Sequence, residues 1–446
     1  VVVENVVQNP TVAYTCSGTT IAFTSAPPTG TSNIYVVHLG PPAATVAPPT
    51  TINNATTFTA DLTIDDGADI ITASKGTDNV RLGENAGAAI ESGGNDNTLI
   101  GKDAGTAITT GERNTILGSK TGDAATTIDD AVLIGYNAGG GATMTGHDNI
   151  GVGANALAAA TTGSQNVAVG KNSGAAITTG EYNVFMGHNS GLNLIDADYN
   201  VAIGGNALDA DTKGSRSVAI GTGALGVQNF TSSTNSNNVA IGYAAGASIL
   251  TGQSNIIIGA DAADALTIGE LNVAIGQAAL GADDVGARNT VVGYASFQSQ
   301  NSTGGSVNNM YNTGLVYGTG SSIKTGYYNT FLGALAGDGT DDGVENVAIG
   351  ISALSSNCAS SNVAIGAYAL EDSTANGVTA VGANAAKNNT SGNGFVAIGK
   401  DSLATATTAI SNVAVGNDAL YAVTTGSYNV AVGLGALDVD LSLIHI

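Results

Sequence analysis

The sequence predicts an all-β chain whose bulk is a parallel β-solenoid of about 17-residue rungs. Three observations carry this. A five-residue phrase, clean at Asn166-Val167-Ala168-Val169-Gly170, is restated from Asn79 to Gly433, and its closing glycine recurs every 16 to 18 residues over most of that span. The phrase is a strand signature, because its centre is apolar and largely β-branched while its ends, Asn and Gly, favour turns. Composition agrees: 63 Gly, no Trp, 11% charged residues and a hydrophobic fraction of 43% are too apolar for a disordered chain.

Residues 1–40 stand apart from the repeat. Three β-rich runs, 11–14, 19–24 and 33–39, are separated by Ser17-Gly18 and by Ala26-Pro27-Pro28-Thr29-Gly30, both turn signals, so this stretch reads as a small antiparallel β unit. All seven prolines lie before residue 50, and Pro41, Pro42, Pro48 and Pro49 mark a stiff extended linker. Residues 41–78 thus form a Pro-rich linker and lead-in strands that cap the first rung.

The repeat domain, 79–440, can be aligned on itself, with the closing glycine as position zero. Position −3 is Val, Ile or Thr, and −1 is Val, Ile, Leu or Met186, in each of twenty copies. Residues two apart on a strand share a face, so −3 and −1 are expected to line the interior of the coil. Asn holds −4 in sixteen copies, the exceptions being Ala131, Ser217, Val378 and Phe395. Stacked Asn can form a side-chain ladder, and Gly at zero ends the strand where no Cβ is tolerated. Position +3 is Ala, Ser or Thr in every copy, which marks a site with room for a small side chain only.

Position −2 is Ala in eleven copies and otherwise mostly large and apolar, although water would call for a polar residue there. Position +4 varies with it. Large −2 goes with Gly at +4, as in Leu99 with Gly105 and Phe331 with Gly337, while Ala at −2 goes with Leu, as in Ala202 with Leu208 and Ala274 with Leu280. Volume is traded within one packing layer. A strand apolar on both faces is covered on both, and the economical cover for −2 and +4 is another copy of the chain. In a lone chain, Ala202, Leu208, Ala274, Leu280, Phe331 and Leu354 are then expected to form an exposed stripe. Two interruptions break the period: a four-residue excess around 228–238, and a forty-residue step from Gly293 to Gly333, two rungs plus six residues, with a degenerate phrase near 312–318. Residues 441–446 break the repeat and match the translation of a sequencing-adapter end, so they are expected to be a scar, with the native chain continuing past Asp440.

The phrase N-V-A-I-G-x-x-A-L resembles the head repeats of trimeric autotransporter adhesins of the YadA type, and is similar to repeats in marine phage tail fibres. The resemblance implies a left-handed β-roll assembled as a homotrimer, on a virion tail fibre or at an extracellular cell surface. The adhesin repeat is shorter than 17 residues, and that family's neck, stalk and membrane barrel have no counterpart in these residues. The N-terminal unit with its proline linker looks more like a phage fibre. The leading expectation is therefore a structural fibre that attaches to a host cell surface, contacting a glycan or protein. A bacterial trimeric surface adhesin is the alternative, and a polysaccharide-active β-helix enzyme a third.

Chemistry is sparse. The four histidines, His38, His147, His188 and His445, fall in no catalytic or metal-binding motif, and neither a nucleophile elbow nor a phosphate-binding loop is present. Cys16 and Cys358 match no metal or redox spacing and read as unpaired thiols. Acidic pairs such as Asp65-Asp66 and Asp341-Asp342 fall in turns and read as solvated. No catalytic residue, metal site or cofactor is expected, and the chain reads as a non-enzyme. With 35 acids against 12 bases, the net charge of −23 repels nucleic acid, and no apolar run is long enough to enter a membrane as a spanning segment. The candidate binding residues are Tyr294, Tyr311, Tyr317, Tyr327 and Tyr328, five of fourteen tyrosines, gathered where the chain departs from its period. The alternative for them is that they plug the core of a distorted rung.

Overall fold

The computed structural model describes residues 75–302, 306 and 308–438, together with the backbone of five short strands before residue 36. The chain divides into two units, Val1–Asp69 and Ile70–Ile446. In the first, Val2–Val3 pairs antiparallel with Val6–Val7 and with Ile34–Tyr35, and Tyr14–Ser17 pairs antiparallel with Thr20–Phe23. The proline linker, most of the lead-in segment and the adapter-like end lie outside the described residues.

The second unit is a parallel β-solenoid. Its 21 three-residue strands run from Val80–Leu82 to Val430–Val432, each paired in parallel and in register with the next. Among the described residues the first and last of these strands are each paired on one side only. No helix among the described residues is long and apolar enough to cross a membrane. The two interruptions fall where the period breaks. One rung runs from Val218–Ile220 to Val239–Ile241, the other from Thr290–Val292 to Thr313–Leu315. The degenerate phrase is itself a strand, with Gly314 at −2 and Val316 at zero.

What holds each rung on the next is a column of buried Asn at −4. Asn255 is representative. Its backbone N–H donates to Asn238 Oδ1 at 3.0 Å, and its Nδ2 donates to Gly269 O at 3.0 Å. Its Oδ1 accepts from the Asn272 N–H at 3.0 Å. Each amide thus ties together its own rung, the one before and the one after, fully out of water. Beside it runs the glycine column at zero. A Cβ on Gly170, at φ 135°, would lie 2.4 Å from Gly187 O, so the backbones approach too closely for any side chain. At two of the four breaks in the Asn column a substitute donor appears. With Val378 at −4, Asn389 Nδ2 reaches Gly392 O at 3.1 Å; with Ala131, Asn149 Nδ2 covers both Gly146 O and Gly163 O at 3.1 and 2.8 Å. A buried carbonyl left without a donor is costly, and these substitutions avoid that.

The inside of the coil is not the face expected. Position −2 is fully buried within the single chain from Leu99 to Ala414, whereas −3 and −1 are half-buried or exposed. Ala202, Leu208, Ala274, Leu280, Phe331 and Leu354, expected as an exposed stripe, are each 0% exposed. The reason is geometric. A three-residue strand sends one side chain inward and two outward, and a 17-residue turn is so thin that +4 from the opposite wall meets −2 directly. The volume trade is real but internal: a Cβ on Gly191 would lie 2.5 Å from Phe185 Cδ1, and one on Gly337 2.4 Å from Phe331 Cε2. Position +4 lies at positive φ in every rung, including Leu208 at 51° and Leu280 at 57°. That conformation costs about 1–2 kcal/mol for a residue with a Cβ. Burying a leucine recovers about 1.5–3 kcal/mol, so leucine is tolerated there where Ala at −2 leaves space to fill. The apolar stripe that faces outward is instead formed by −3 and −1, with Met186 42% and Ile256 42% exposed.

Replacing Asn255 by Ala strands Gly269 O and the Asn272 N–H in the dry interior, at about 1–3 kcal/mol per group. Chemical denaturation should show a loss of that summed size, and a variant within about 0.5 kcal/mol of the parent would mean that the ladder is decorative.

Candidate functional site

The five candidate tyrosines are all exposed, between 42% and 54%. The residues that plug the interior at this point are Phe297 and Phe331, each 0% exposed, with ring centroids 5.8 Å apart. Phe297 occupies the space that Gly314 leaves at −2, for a Cβ on Gly314 would lie 2.2 Å from its ring.

The structure sorts the tyrosines into two groups by their place in the rung. Tyr294 and Tyr317 follow position zero on successive rungs and stack at 5.7 Å with planes 5° apart. Tyr311 and Tyr328 occupy −5 on successive rungs, at positive φ, with ring centroids 5.5 Å apart; Tyr327 meets Tyr328 edge-on at 5.0 Å. The groups flank opposite ends of the strands Thr313–Leu315 and Thr330–Leu332, so they are not one cluster.

Only the −5 group adjoins the insertion. A cleft of about 390 Å³ is lined by Ser302, Asn308, Asn309, Met310, Thr325, Tyr327 and Tyr328. Arg288 meets one lining residue, its Nη1 donating to Asn309 Oδ1 at 3.0 Å, and its guanidinium lies 5.7 Å from the centre of the Tyr311 ring. Lys324 bridges to Asp341 at 2.9 Å. The lining offers phenol, amide and hydroxyl groups beside apolar ring edges, which is chemistry for binding polar, partly apolar molecules. Among the described residues no group of three or more His, Cys, Asp and Glu is placed to hold a metal ion. Cys358 is a free, buried thiol beside Thr340, and burial pushes it up to about 11.

The insertion is anchored from within by a residue that the sequence did not single out. Asp283 is 0% exposed and accepts from Gln300 Nε2 at 2.6 Å, from Gly286 N at 3.2 Å, and from the Ser302 hydroxyl. Gln300 in turn accepts from Asn312 Nδ2 at 3.0 Å, beside the direct bond from the Asn312 N–H to Asn289 Oδ1 at 3.2 Å that continues the Asn column past the insertion. The smaller insertion repeats the device. Asp211 accepts from Gln228 Nε2 at 2.6 Å and Gly214 N at 3.1 Å, and Gln228 accepts from Asn238 Nδ2 at 2.8 Å. The recurring Asp, Gly, Arg and Gln at 211, 214, 216 and 228, and again at 283, 286, 288 and 300, are the signal that would have exposed it. No family model and no curated protein matches the chain.

Burial raises the Asp283 carboxyl above its ordinary value, outweighing the hydrogen bonds from Ser302, Gln300 and Gly286 that pull it down. A raised acid binds its proton more tightly folded than unfolded, so its contribution is fully present below the unfolded value of 3.8 and is lost as pH rises through the folded one. Thermal midpoints of Asp283→Asn and the parent should therefore converge or diverge with pH in one sense only, the parent losing ground as pH climbs from about 4. A pH-independent difference contradicts the assignment. Tyr311→Ala and Tyr317→Ala should each stay within about 0.5 kcal/mol of the parent, while Phe331→Ala loses about 3–5 kcal/mol; a comparable loss at the tyrosines would return them to a structural role.

Proposed function

We propose that this chain is a structural segment of an attachment fibre, a phage tail fibre by resemblance, that assembles with two further copies of itself and binds a host-surface glycan or protein through the exposed tyrosines. The observation that carries the reading is the uncovered outer face of the sheet. Three-residue strands about 10 Å long, stacked about 4.8 Å apart over 21 rungs, make a flat face of about 1,000 Å². Its side chains are the Val, Ile, Leu and Thr of −3 and −1.

Soluble monomers rarely expose a contiguous apolar patch above a few hundred Å², and a stable interface takes about 800 Å² per partner. The face meets that need along its whole length and repeats every rung, so an identical partner can match it rung for rung. Three copies follow from the resemblance. This assignment puts −3 and −1, rather than −2 and +4, beside the shared axis. The net charge of −23 keeps the remaining surface soluble. Rigidity follows from the internal ladder, and a rigid rod with tyrosines on its flanks is suited to hold a receptor contact at a distance.

Sedimentation equilibrium on the native protein should return three times the 43.6 kDa chain mass. Ile275→Glu with Ile349→Glu, both on the outer face, should reduce it to one chain while the β-sheet circular dichroism persists. A single-chain mass for the parent would remove the assembly. Tail and baseplate genes beside the coding sequence are the expected neighbours, whereas a membrane barrel in the same reading frame would replace the tail fibre by a bacterial adhesin.

A further inference from the structure

The −5 positions of nine successive rungs form one column on the edge of the coil: Tyr182, Tyr199, Arg216, Asn237, Ser254, Leu271, Arg288, Tyr311 and Tyr328. Consecutive members are held at rung spacing by the backbone, as Tyr199 N donates to Glu181 O, Arg216 N to Asp198 O and Arg288 N to Glu270 O, at 3.1, 3.0 and 3.0 Å. The order is nearly palindromic, with two tyrosines and an arginine at each end. At one end Tyr182 and Tyr199 stack at 5.1 Å with planes 6° apart, and the Arg216 guanidinium lies 5.9 Å from the Tyr199 ring centre. At the other, Arg288 lies over Tyr311 and Tyr311 against Tyr328. Each arginine immediately precedes an insertion, and the two insertions share the buried Asp–Gln anchor.

We propose that this column, rather than the second insertion alone, is an elongated binding track for a neutral linear polysaccharide lying along the rod, and that Tyr182, Tyr199 and Arg216 with the 229–237 insertion form its second, unrecognised end. The proposal rests on the reading of the tyrosines as a surface-glycan site. Tyr182 and Tyr199 stack in parallel and Tyr311 and Tyr328 are tilted by 31°, so each end of the column presents exposed phenols at rung spacing, about 4.8 Å, with donor and acceptor hydroxyls. Among the described residues the Arg216 side chain makes no hydrogen bond or ion pair, although the acid-rich chain supplies Arg113 with both Glu112 and Asp130. An exposed guanidinium with its donors unused is a ready partner for saccharide hydroxyls.

The crest of the first insertion adds exposed Thr231, Ser232, Ser233 and Asn235 beside the column. The two arginines stand four rungs apart, about 19 Å, and the whole column spans about 38 Å. That length suits a polymer and not a single sugar. Glu181, Asp198 and Glu270 lie at −6 along the same edge, and with the net charge of −23 they oppose an anionic chain.

The test uses the full chain against immobilised neutral polymers (dextran, mannan, galactan and β-glucan) and acidic ones (polygalacturonate and hyaluronate). Binding is expected to at least one neutral polymer, nearly independent of salt, with Arg216→Gln and Tyr199→Phe each weakening it about as much as Arg288→Gln and Tyr311→Phe, on the order of tenfold, and more than additively in combination, as for a ligand held at two ends. The conservative changes leave the stack and the interior intact. Loss with Arg288→Gln or Tyr311→Phe but none with Arg216→Gln and Tyr199→Phe overturns the track and leaves the second insertion as the site. Binding confined to the acidic polymers, falling steeply with salt, overturns the ligand class. Binding of the parent to none of the six overturns the track together with the saccharide reading on which it rests.

Discussion

One side-chain amide per turn sets the geometry of this protein. The Asn at −4 has two side-chain donors and an acceptor with two lone pairs, and at Asn255 all are used: sideways to the carbonyl that closes its own turn, backward to the previous Asn and forward to the next. Because the bond reaches the same atom one rung on, the turn length is restrained to values that bring a carbonyl back beneath the amide. That explains both the 17-residue period and its tolerance. Rungs one residue shorter survive, as at Asn346 to Asn362, since Asn346 Nδ2 still finds Ala359 O at 3.0 Å and its Oδ1 still accepts from the Asn362 N–H at 3.0 Å. The glycine column acts at the other end of the strand and fixes the approach of the backbones from that side.

Much of this was legible because a repeat is its own alignment. The phrase located twenty of the 21 ladder strands and its degenerate form the other, the excess residues located both insertions, and the covariation of −2 with +4 showed that the two share a layer. What could not be read was which face lay inside. Large β-branched residues at −3 and −1 and alanine at −2 invite the inference that the larger residues are buried, which holds for a sheet packed on a thick core. A coil one residue thick reverses it. The interior accepts one side chain per strand, and Ala at −2 with Leu at +4 fills it. The apolar residues left facing outward are thereby those at −3 and −1, on the opposite face of the same strand. The tyrosines were ambiguous for a related reason. Position −5 carries Asp, Arg, Gln, Tyr, Ser and Leu in different rungs, with no consensus to show that it is an exposed corner at positive φ, so its continuity from rung to rung became visible only in the structure.

The insertions show how a one-dimensional lattice accommodates a defect. In a solenoid each turn is stabilised by its neighbours alone, so a bulge that broke the column would divide the rod into two weakly coupled halves. At both insertions a Gln reaches the Asn of the next rung, held by an Asp buried in the rung before, and at the second the Asn312 N–H still bonds Asn289 Oδ1 directly. The Asp is an expensive choice. Burying a carboxylate is unfavourable unless it is fully hydrogen-bonded, and the raised titration of Asp283 shows that part of the cost remains. Burial also pushes the carboxyl up at Asp123, Asp209, Asp264 and Asp338. Retaining two such anchors in the interior is consistent with the loops having a purpose at the surface, because a plain rung would be more stable.

A ladder that fixes register also fixes the spacing of whatever the surface displays. Side chains at equivalent corners of successive rungs lie one strand separation apart, as the stacked pair Tyr182 and Tyr199 at 5.1 Å demonstrates. The interior and the surface are therefore independent in sequence but coupled in geometry. Substitutions at −5 or just after zero alter the chemistry displayed without disturbing the Asn or Gly columns, since those positions contribute little to the core. Substitutions in the columns alter the spacing of everything outside. A protein organised in this way can change the chemistry of its surface one corner at a time while the spacing of its rungs and its outer sheet face stay constant.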